Sequence, residues 1–150
     1  MPLVDLTLLL LHDPRQSERR TVAKVLVVDD DDDMRALVEH RLRSAGHRVL
    51  GAGSADEALA VVADRGVPDL IVLDVLMPDV SGLELLSRLR QEPASSHLPA
   101  VFLSGRVQDS DIAAGRALGA TYLTKPVVIS ALIAAIDAAL LVDQPLAGSW

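Results

Sequence analysis

Cysteine is absent from this chain, and aromatic residues are almost absent. The 150 residues include no Cys and one each of Phe, Tyr and Trp. Without Cys, the chain has neither disulfides nor thiolate metal sites. Since aromatic rings are so few, the predicted core is aliphatic and consists of Val, Leu, Ile and Ala side chains. A chain of this length suits one domain with a sizeable core.

Basic residues are scarce as well, and no apolar run is long enough to cross a bilayer. The 14 Lys and Arg residues are outnumbered by 21 acidic residues, which gives a net charge of −7. This balance argues against direct DNA binding, which needs clustered cations. The longest apolar candidate, 127–142, contains Asp137 and is shorter than the roughly 20 residues that a span needs. Residues 3–11 are leucine-rich but lack the basic start of a signal peptide. A cytoplasmic protein without membrane association is therefore predicted.

From Lys24 onward, short apolar runs alternate with helical patterns. The runs 25–28 and 70–73 are continuous and rich in Val, Ile and Leu, as is typical of strands covered on both faces. Ser54 and Glu57 form a capping-box pattern at the start of a helix. Five strands alternating with five helices predict an α/β fold with a parallel sheet and right-handed crossovers. The predicted strands cover residues 25–28, 48–50, 70–73, 99–103 and 121–123.

The alternating pattern defines the domain organisation. Residues 24–141 are predicted to form the single α/β domain, and residues 142–150 a short tail. Residues 1–23 lie outside the pattern and are interpreted as an N-terminal extension with a polar linker. Its leucines should bury their surface, since burying one leucine contributes about 1.5–3 kcal/mol. We expect the extension to pack on its own domain or on a second copy, with a homodimer favoured; a disordered tail is the alternative.

Polar side chains follow four of the predicted strands. Asp29 and Asp30 come after the first strand, Asp74 after the third, Ser104 after the fourth and Lys125 after the fifth. Because ligands of parallel α/β sheets bind outside the carboxyl ends of the strands, these side chains are expected to meet in one site.

The chemistry of these side chains favours a metal-assisted phosphoryl acceptor. Carboxylates about 4 Å apart repel each other by about 4 kcal/mol at an effective dielectric of 20. A hard cation such as Mg²⁺ relieves this repulsion. Asp74 can act as a nucleophile towards phosphorus, and Lys125 can pair with a phosphoryl group. The neighbouring acids have another interpretation: Asp33 or Asp32 is expected to cap the first helix, and Asp31 to be a solvated loop charge.

Several of these motifs together resemble the receiver domain of two-component response regulators, the CheY-like superfamily. The resemblance covers about residues 23–141 and rests on the segments 25–35, 74–82, 104–105 and 122–126. It implies a flavodoxin-like (βα)5 fold, with a five-stranded parallel sheet of order 2-1-3-4-5 and helices on both faces.

The resemblance also implies a role for each carboxylate. Asp74 matches the phospho-acceptor. Asp30 and Asp74 match direct ligands of Mg²⁺ or Mn²⁺, and Asp29 matches a residue that acts largely through water. The backbone carbonyl of Leu76 matches a further metal ligand.

The remaining matched residues concern the phosphoryl group and the switch. Ser104 and Tyr122 match the switch hydroxyl and the switch aromatic. Lys125 matches the phosphoryl-binding lysine, and Pro126 matches a proline that follows it through a cis peptide bond. The last helix departs from the family, since residues 129–141 carry one charge, Asp137, where dimerising members usually have salt bridges.

The resulting hypothesis is a phosphorylation-controlled signalling module rather than an enzyme with an external substrate. A histidine kinase or a histidine phosphotransfer protein would donate to Asp74, and the surface of the fourth helix, fifth strand and last helix would then control a separate output protein. One alternative is a degenerate receiver that acts without phosphorylation. Another is a metal-dependent phosphatase, disfavoured because Leu76 stands where such enzymes need a general acid.

Overall fold

A computed structural model describes residues 22–105 and 109–141 of the chain, without the side chains of 109–111. In these ranges one sheet of five parallel strands has the order β2-β1-β3-β4-β5, which confirms the predicted topology. The strands are β1 Lys24–Val28, β2 Arg48–Ala52, β3 Leu70–Asp74, β4 Ala100–Ser104 and β5 Thr121–Thr124. The tail 142–150 and nearly all of the extension 1–23 lie outside the described residues.

A helix follows each strand. The helices are α1 Asp32–Ser44, α2 Ala55–Arg65, α3 Gly82–Gln91, α4 Asp109–Ala117 and α5 Ile129–Leu140, with a short 3₁₀ turn at Pro93–Ser95. Within the described ranges, none of these helices combines the length and the apolar character that crossing a membrane requires.

Apolar side chains from alternate strand positions form two core layers, one on each face of the sheet. Successive side chains of a strand point to opposite faces, so a fully buried strand contributes to both layers. One layer joins the sheet to α2 and α3, and the other joins it to α1 and α5. Phe102 is the only aromatic residue among the buried hydrophobic side chains of the described ranges, which confirms the aliphatic core.

Helix boundaries follow local hydrogen bonding, and the start of α1 differs from the prediction. The N-cap of α1 is Asp31, whose side chain accepts a hydrogen bond from the Met34 N–H at 3.1 Å. The expectation that Asp33 or Asp32 caps this helix is wrong, because the helix begins earlier and both residues lie in its first turn. Asp31, interpreted as a solvated loop charge, is exposed as expected, but that interpretation missed its role as the cap.

The predicted cap of α2 is confirmed. Ser54 Oγ accepts from the Glu57 N–H at 3.1 Å, and Glu57 Oε2 accepts from the Gly53 N–H at 2.9 Å. Gly66 ends the helix with a positive φ of 92°, a conformation that costs glycine little.

Arg90 forms hydrogen bonds to two loops at the amino end of the sheet, where the strands begin. This residue lies in the last turn of α3. Its Nε and Nη2 donate to the Leu98 carbonyl at 3.2 and 2.8 Å, and its Nη1 donates to the Leu118 carbonyl. The guanidinium therefore joins the end of α3 to the loops that lead into β4 and β5.

The cap of α1 can be tested apart from its charge. Replacing Asp31 with Ala removes the acceptor of the Met34 N–H and should lower the free energy of unfolding by about 1 kcal/mol. Asp31→Asn removes the same charge but keeps a side-chain oxygen that caps equally well. Urea unfolding without divalent cations should therefore rank Asp31→Ala below Asp31→Asn. Equal stabilities of the two variants would contradict the cap.

Candidate functional site

Three carboxylates meet at the carboxyl end of the sheet, where the strands end. Asp29 follows β1, and Asp74 is the last residue of β3, the strand that pairs with β1. Asp29 and Asp74 are buried, whereas Asp30 is exposed. One carboxylate oxygen from each of the three lies within 4.8 Å of the others. Asp29, Asp30 and Asp74 thus form an acidic cluster with one open side.

Lys125 reaches this cluster from the far side of β4. Its Nζ lies 3.0 Å from Asp29 Oδ2 and 2.9 Å from Asp74 Oδ2, so one ammonium pairs with two buried carboxylates. The backbone N–H of Lys125 donates to the Ser104 carbonyl at 2.9 Å, which fixes the start of the lysine side chain beside β4. The peptide bond between Lys125 and Pro126 is cis.

The protonation of the pair follows from burial and from this contact. Burial raises the pKa of the Asp74 carboxyl, an effect that the hydrogen bonds from Lys125 and from the Leu76 N–H only partly offset. Burial alone would lower the pKa of Lys125, but its hydrogen bonds to Asp74 and Asp29 outweigh burial and raise it. The lysine is therefore a cation at neutral pH, and Asp74 is a carboxylate stabilised less well than one in water.

Backbone amides hold the other oxygens of the two buried carboxylates. The Asp31 N–H donates to Asp29 Oδ1, and the Leu76 N–H donates to Asp74 Oδ1, each at 3.0 Å. In each carboxylate, one oxygen thus accepts a hydrogen bond from a backbone amide and the other accepts one from Lys125. This arrangement fixes both side chains before any ligand binds.

Arg35 also supports the site, and sequence reasoning missed it. Its Nη1 donates to the backbone carbonyl of Asp29 at 2.7 Å, and its Nη2 donates to Asp32 Oδ1 at 2.8 Å. The guanidinium thus offsets part of the negative charge of the acidic loop and holds its backbone. The one signal in the sequence is the helical i, i+3 spacing of Asp32 and Arg35, which is too common to be diagnostic.

The loop after β3 closes tightly on Asp74, and glycine is required there. Gly82 begins α3, and its N–H donates to the Val75 carbonyl at 2.9 Å. A Cβ on Gly82 would overlap the carbonyl oxygen of Asp74. The lack of a side chain lets α3 start directly against the strand that carries Asp74.

The two predicted switch residues occupy different places. Ser104 ends β4 at the carboxyl end of the sheet and is 1% exposed. Tyr122 lies nearer the amino end, paired in register with Phe102, and its half-buried ring stacks on the Phe102 ring at a centroid distance of 5.2 Å. Ser104 therefore lies at the same end of the sheet as the acidic cluster, whereas Tyr122 contacts the core.

The donor set of the cluster fits a hard divalent cation. Asp29, Asp30 and Asp74 offer only oxygen atoms, the ligand type that Mg²⁺ prefers, and few enough of them that a bound ion would keep waters. Leu76 lies next in the loop after Val75, and its N–H is already held by Asp74.

Comparison with known proteins places the chain in a family. Residues 25–137 match the family model of the response regulator receiver domain. A phosphate regulon transcriptional regulatory protein PhoB from Rhizobium meliloti is 37% identical over 81% of this chain and 54% of its own length. A 14.6 kDa protein of Leptolyngbya boryana is 42% identical over 69% of this chain and 79% of its own.

Comparison with a solved structure also indicates a receiver domain. Vibrio cholerae chemotaxis protein CheY4 superposes with a TM-score of 0.74 at 33% identity, covering 80% of this chain and all of that one. The chain spans about half the length of the PhoB relative. The general role of receiver domains is phosphorylation-controlled signalling in two-component systems. With the family model spanning most of its length, this chain belongs to the response regulator receiver domain family.

Proposed function

We propose that this chain accepts a phosphoryl group on Asp74 and uses it to switch the surface formed by α4, β5 and α5. The observation that carries the proposal is the shared contact of Lys125 with Asp74 and Asp29 beside Asp30. A nucleophilic carboxylate, a fixed cation and two further acids are the groups that phosphoryl transfer to an aspartate needs. A histidine kinase or a histidine phosphotransfer protein is the proposed donor.

In the proposed transfer, an oxygen of Asp74 attacks the phosphorus of a phosphohistidine. The new P–O bond forms as the P–N bond breaks, and the imidazole nitrogen keeps the electron pair. Burial raises the pKa of Asp74, which supports this role because a poorly stabilised carboxylate is a stronger nucleophile. Lys125 stays protonated and can pair with the incoming phosphoryl oxygens.

The acidic cluster is proposed to hold Mg²⁺ or Mn²⁺. Asp30, Asp74 and the Leu76 carbonyl would be direct ligands, and Asp29 would act largely through water. The cation would offset negative charge on the carboxylates and the phosphoryl group.

The buried position of Ser104 supports a role in sensing the phosphoryl group. Its hydroxyl lies at the same end of the sheet as Asp74, where it can move to donate to a phosphoryl oxygen. Tyr122, on the neighbouring strand, is proposed to follow, which changes the surface around α4. This is a two-state population shift in which the phosphoryl group favours one state.

Two alternatives have less support. A phosphorylation-independent receiver would not need the pairing of Lys125 with both buried carboxylates. A phosphatase would need an acid at Leu76, whose side chain is apolar and 54% exposed. A separate output protein is the proposed partner. That this chain does not itself bind DNA stays a prediction from its net charge of −7, since its match covers only about half the length of the relatives named transcriptional regulators.

The exposed side of α5 supports a proposal about self-association. Val128 and Leu141, at the two ends of the helix, are 62% and 84% exposed, and Asp137 is its one charged residue. Ala23, close to the start of the described residues, packs into the same core layer as α5. We propose that residues 3–11 cover this surface, on the same chain or on a second copy, with a homodimer favoured.

Asp74 should be the sole phosphorylated residue. After incubation with acetyl phosphate and Mg²⁺, intact-mass measurement should show one added phosphoryl group on the wild type and none on Asp74→Asn. The exposed Asp79→Asn is the matched control and should react like the wild type. Equal phosphorylation of Asp74→Asn and wild type would contradict the assignment.

Divalent cations should stabilise the native state through Asp30. Binding to the folded state alone adds about 2.7 kcal/mol at a hundredfold excess over Kd. Asp30→Asn should lose most of the rise in melting temperature caused by Mg²⁺. Asp32→Asn removes the same charge from a side chain that pairs with Arg35, and it should keep most of that rise. Equal losses in both variants would show that the wrong acids were assigned.

Removal of residues 1–21 should lower the melting temperature and, for a homodimer, halve the molar mass. The physical reason is the apolar surface of α5 that the deletion would expose. Light scattering and thermal unfolding of both chains measure the two effects. If neither quantity changes, the extension does not cover α5.

A further inference from the structure

Gly115 in α4 leaves the space into which the ring of Tyr122 fits. The glycine is buried, and a Cβ built on it would overlap Cε2 of Tyr122 and lie 2.8 Å from Cδ2 and 3.2 Å from Cζ. These separations are below van der Waals contact. Among the glycines of the described ranges, Gly115 is the one whose missing side chain is replaced by an aromatic ring.

The ring is therefore confined on two sides. Its edge meets the backbone of α4 at Gly115, and its face stacks on Phe102 with an interplanar angle of 30°. Phe102 has no exposed surface and is part of the core. We name the space between Phe102 and Gly115 the tyrosine slot.

One direction in which the ring can leave the tyrosine slot follows from the topology. Helix α4 runs from the carboxyl end of the sheet to the amino end, and Gly115 lies near its last residue, Ala117. Ser104 pairs with Thr124 at the carboxyl end, whereas Phe102 pairs with Tyr122 closer to the amino end. Phe102 and Ser104 lie on the same face of β4, because side chains alternate along a strand. A ring that moves away from Gly115 along this face moves towards Ser104.

We propose that Gly115 is a positioning residue that sets the resting place of Tyr122 and thereby the resting state of the switch. This inference rests on the proposed function and concerns the regulation of the same site. A methyl group at this position raises the energy of the state in which the ring fills the slot, since overpacking of a close-packed contact is unfavourable. The population then shifts towards the state in which the ring has moved to Ser104.

The closing experiment uses the full chain with its tyrosine ring labelled with ¹³C. Tyr122 is the single Tyr of the sequence, so its NMR signals need no assignment. The wild type is recorded alone and with Mg²⁺ and beryllium trifluoride, a mimic of the aspartyl phosphate. We expect Gly115→Ala without the mimic to shift towards the position of the mimic-bound wild type. Its rate of phosphorylation by acetyl phosphate should rise about fivefold, within the range that overpacking of one methyl group permits.

A double-mutant cycle separates this effect from helix propensity. Ala is a better helix former than Gly, so Gly115→Ala should raise the melting temperature when Tyr122 is replaced by Ala and the slot is empty. In the chain that retains Tyr122, this gain should be cancelled or reversed. Ala114→Leu, an exposed neighbour on α4, is the control for enlarging a side chain and should match the wild type in ring signal and rate.

The outcomes separate the inference from the function on which it rests. If the wild type gains no phosphoryl group, the proposed function is overturned, and the ring signals of the unphosphorylated chains still test the slot. The role of Gly115 is overturned if the wild type is phosphorylated but Gly115→Ala shows the same ring signal and the same phosphorylation rate as the wild type. A phosphorylation rate of Gly115→Ala below that of the wild type would overturn it as well. That role is also overturned if the methyl group has equal effects with and without Tyr122.

Discussion

The contact of one lysine with two buried carboxylates is the interaction on which this site depends. Asp29 and Asp74 end up side by side because β1 and β3 are neighbours in the sheet. Their repulsion would cost about 4 kcal/mol at a separation of 4 Å and a dielectric of 20. Lys125 offsets this cost from beyond β4, at 3.0 and 2.9 Å. The strand order therefore creates the repulsion between the two carboxylates, and the position of Lys125 offsets it.

The same contact bears on the proposed reactivity of Asp74. A carboxylate in full contact with water would be well stabilised and a weak nucleophile. Burial removes part of that stabilisation, and Lys125 with the Leu76 N–H returns some of it. Asp74 thus stays fixed in orientation while its charge remains incompletely balanced. Asp30, which is exposed, leaves the cluster open to ligands on one side.

Much of the fold could be predicted from the sequence, because its signals are local and periodic. The continuous apolar runs identified the strands, and Ser54 with Glu57 identified the start of α2. The carboxyl ends of the strands identified Asp29, Asp30, Asp74 and Lys125 as residues of one edge of the sheet, because parallel topology brings those ends together. The strand order that makes β1 and β3 neighbours came from the resemblance to the receiver family.

The helix cap and two contacts of the site region could not be predicted, because they depend on three-dimensional geometry that the sequence pattern does not show. Five consecutive aspartates offer several equivalent caps, and the bend that selects Asp31 is set by the hydrogen bond of its N–H to Asp29. Arg35 reaches the Asp29 carbonyl only because α1 starts at that point. The contact of Gly115 with Tyr122 joins two elements through van der Waals packing, which leaves no periodic trace in a sequence.

The Arg90 contacts have a mechanical consequence for α4. Leu118, which directly follows this helix, has its carbonyl held by a guanidinium that also binds Leu98. One end of α4 is thus anchored to α3 and to the loop before β4. A displacement of α4 that leaves these bonds intact is a rotation about its C-terminal end, and a rotation moves the far end most. Such a rotation would move most the end of α4 that lies at the carboxyl end of the sheet, on the side of Ser104.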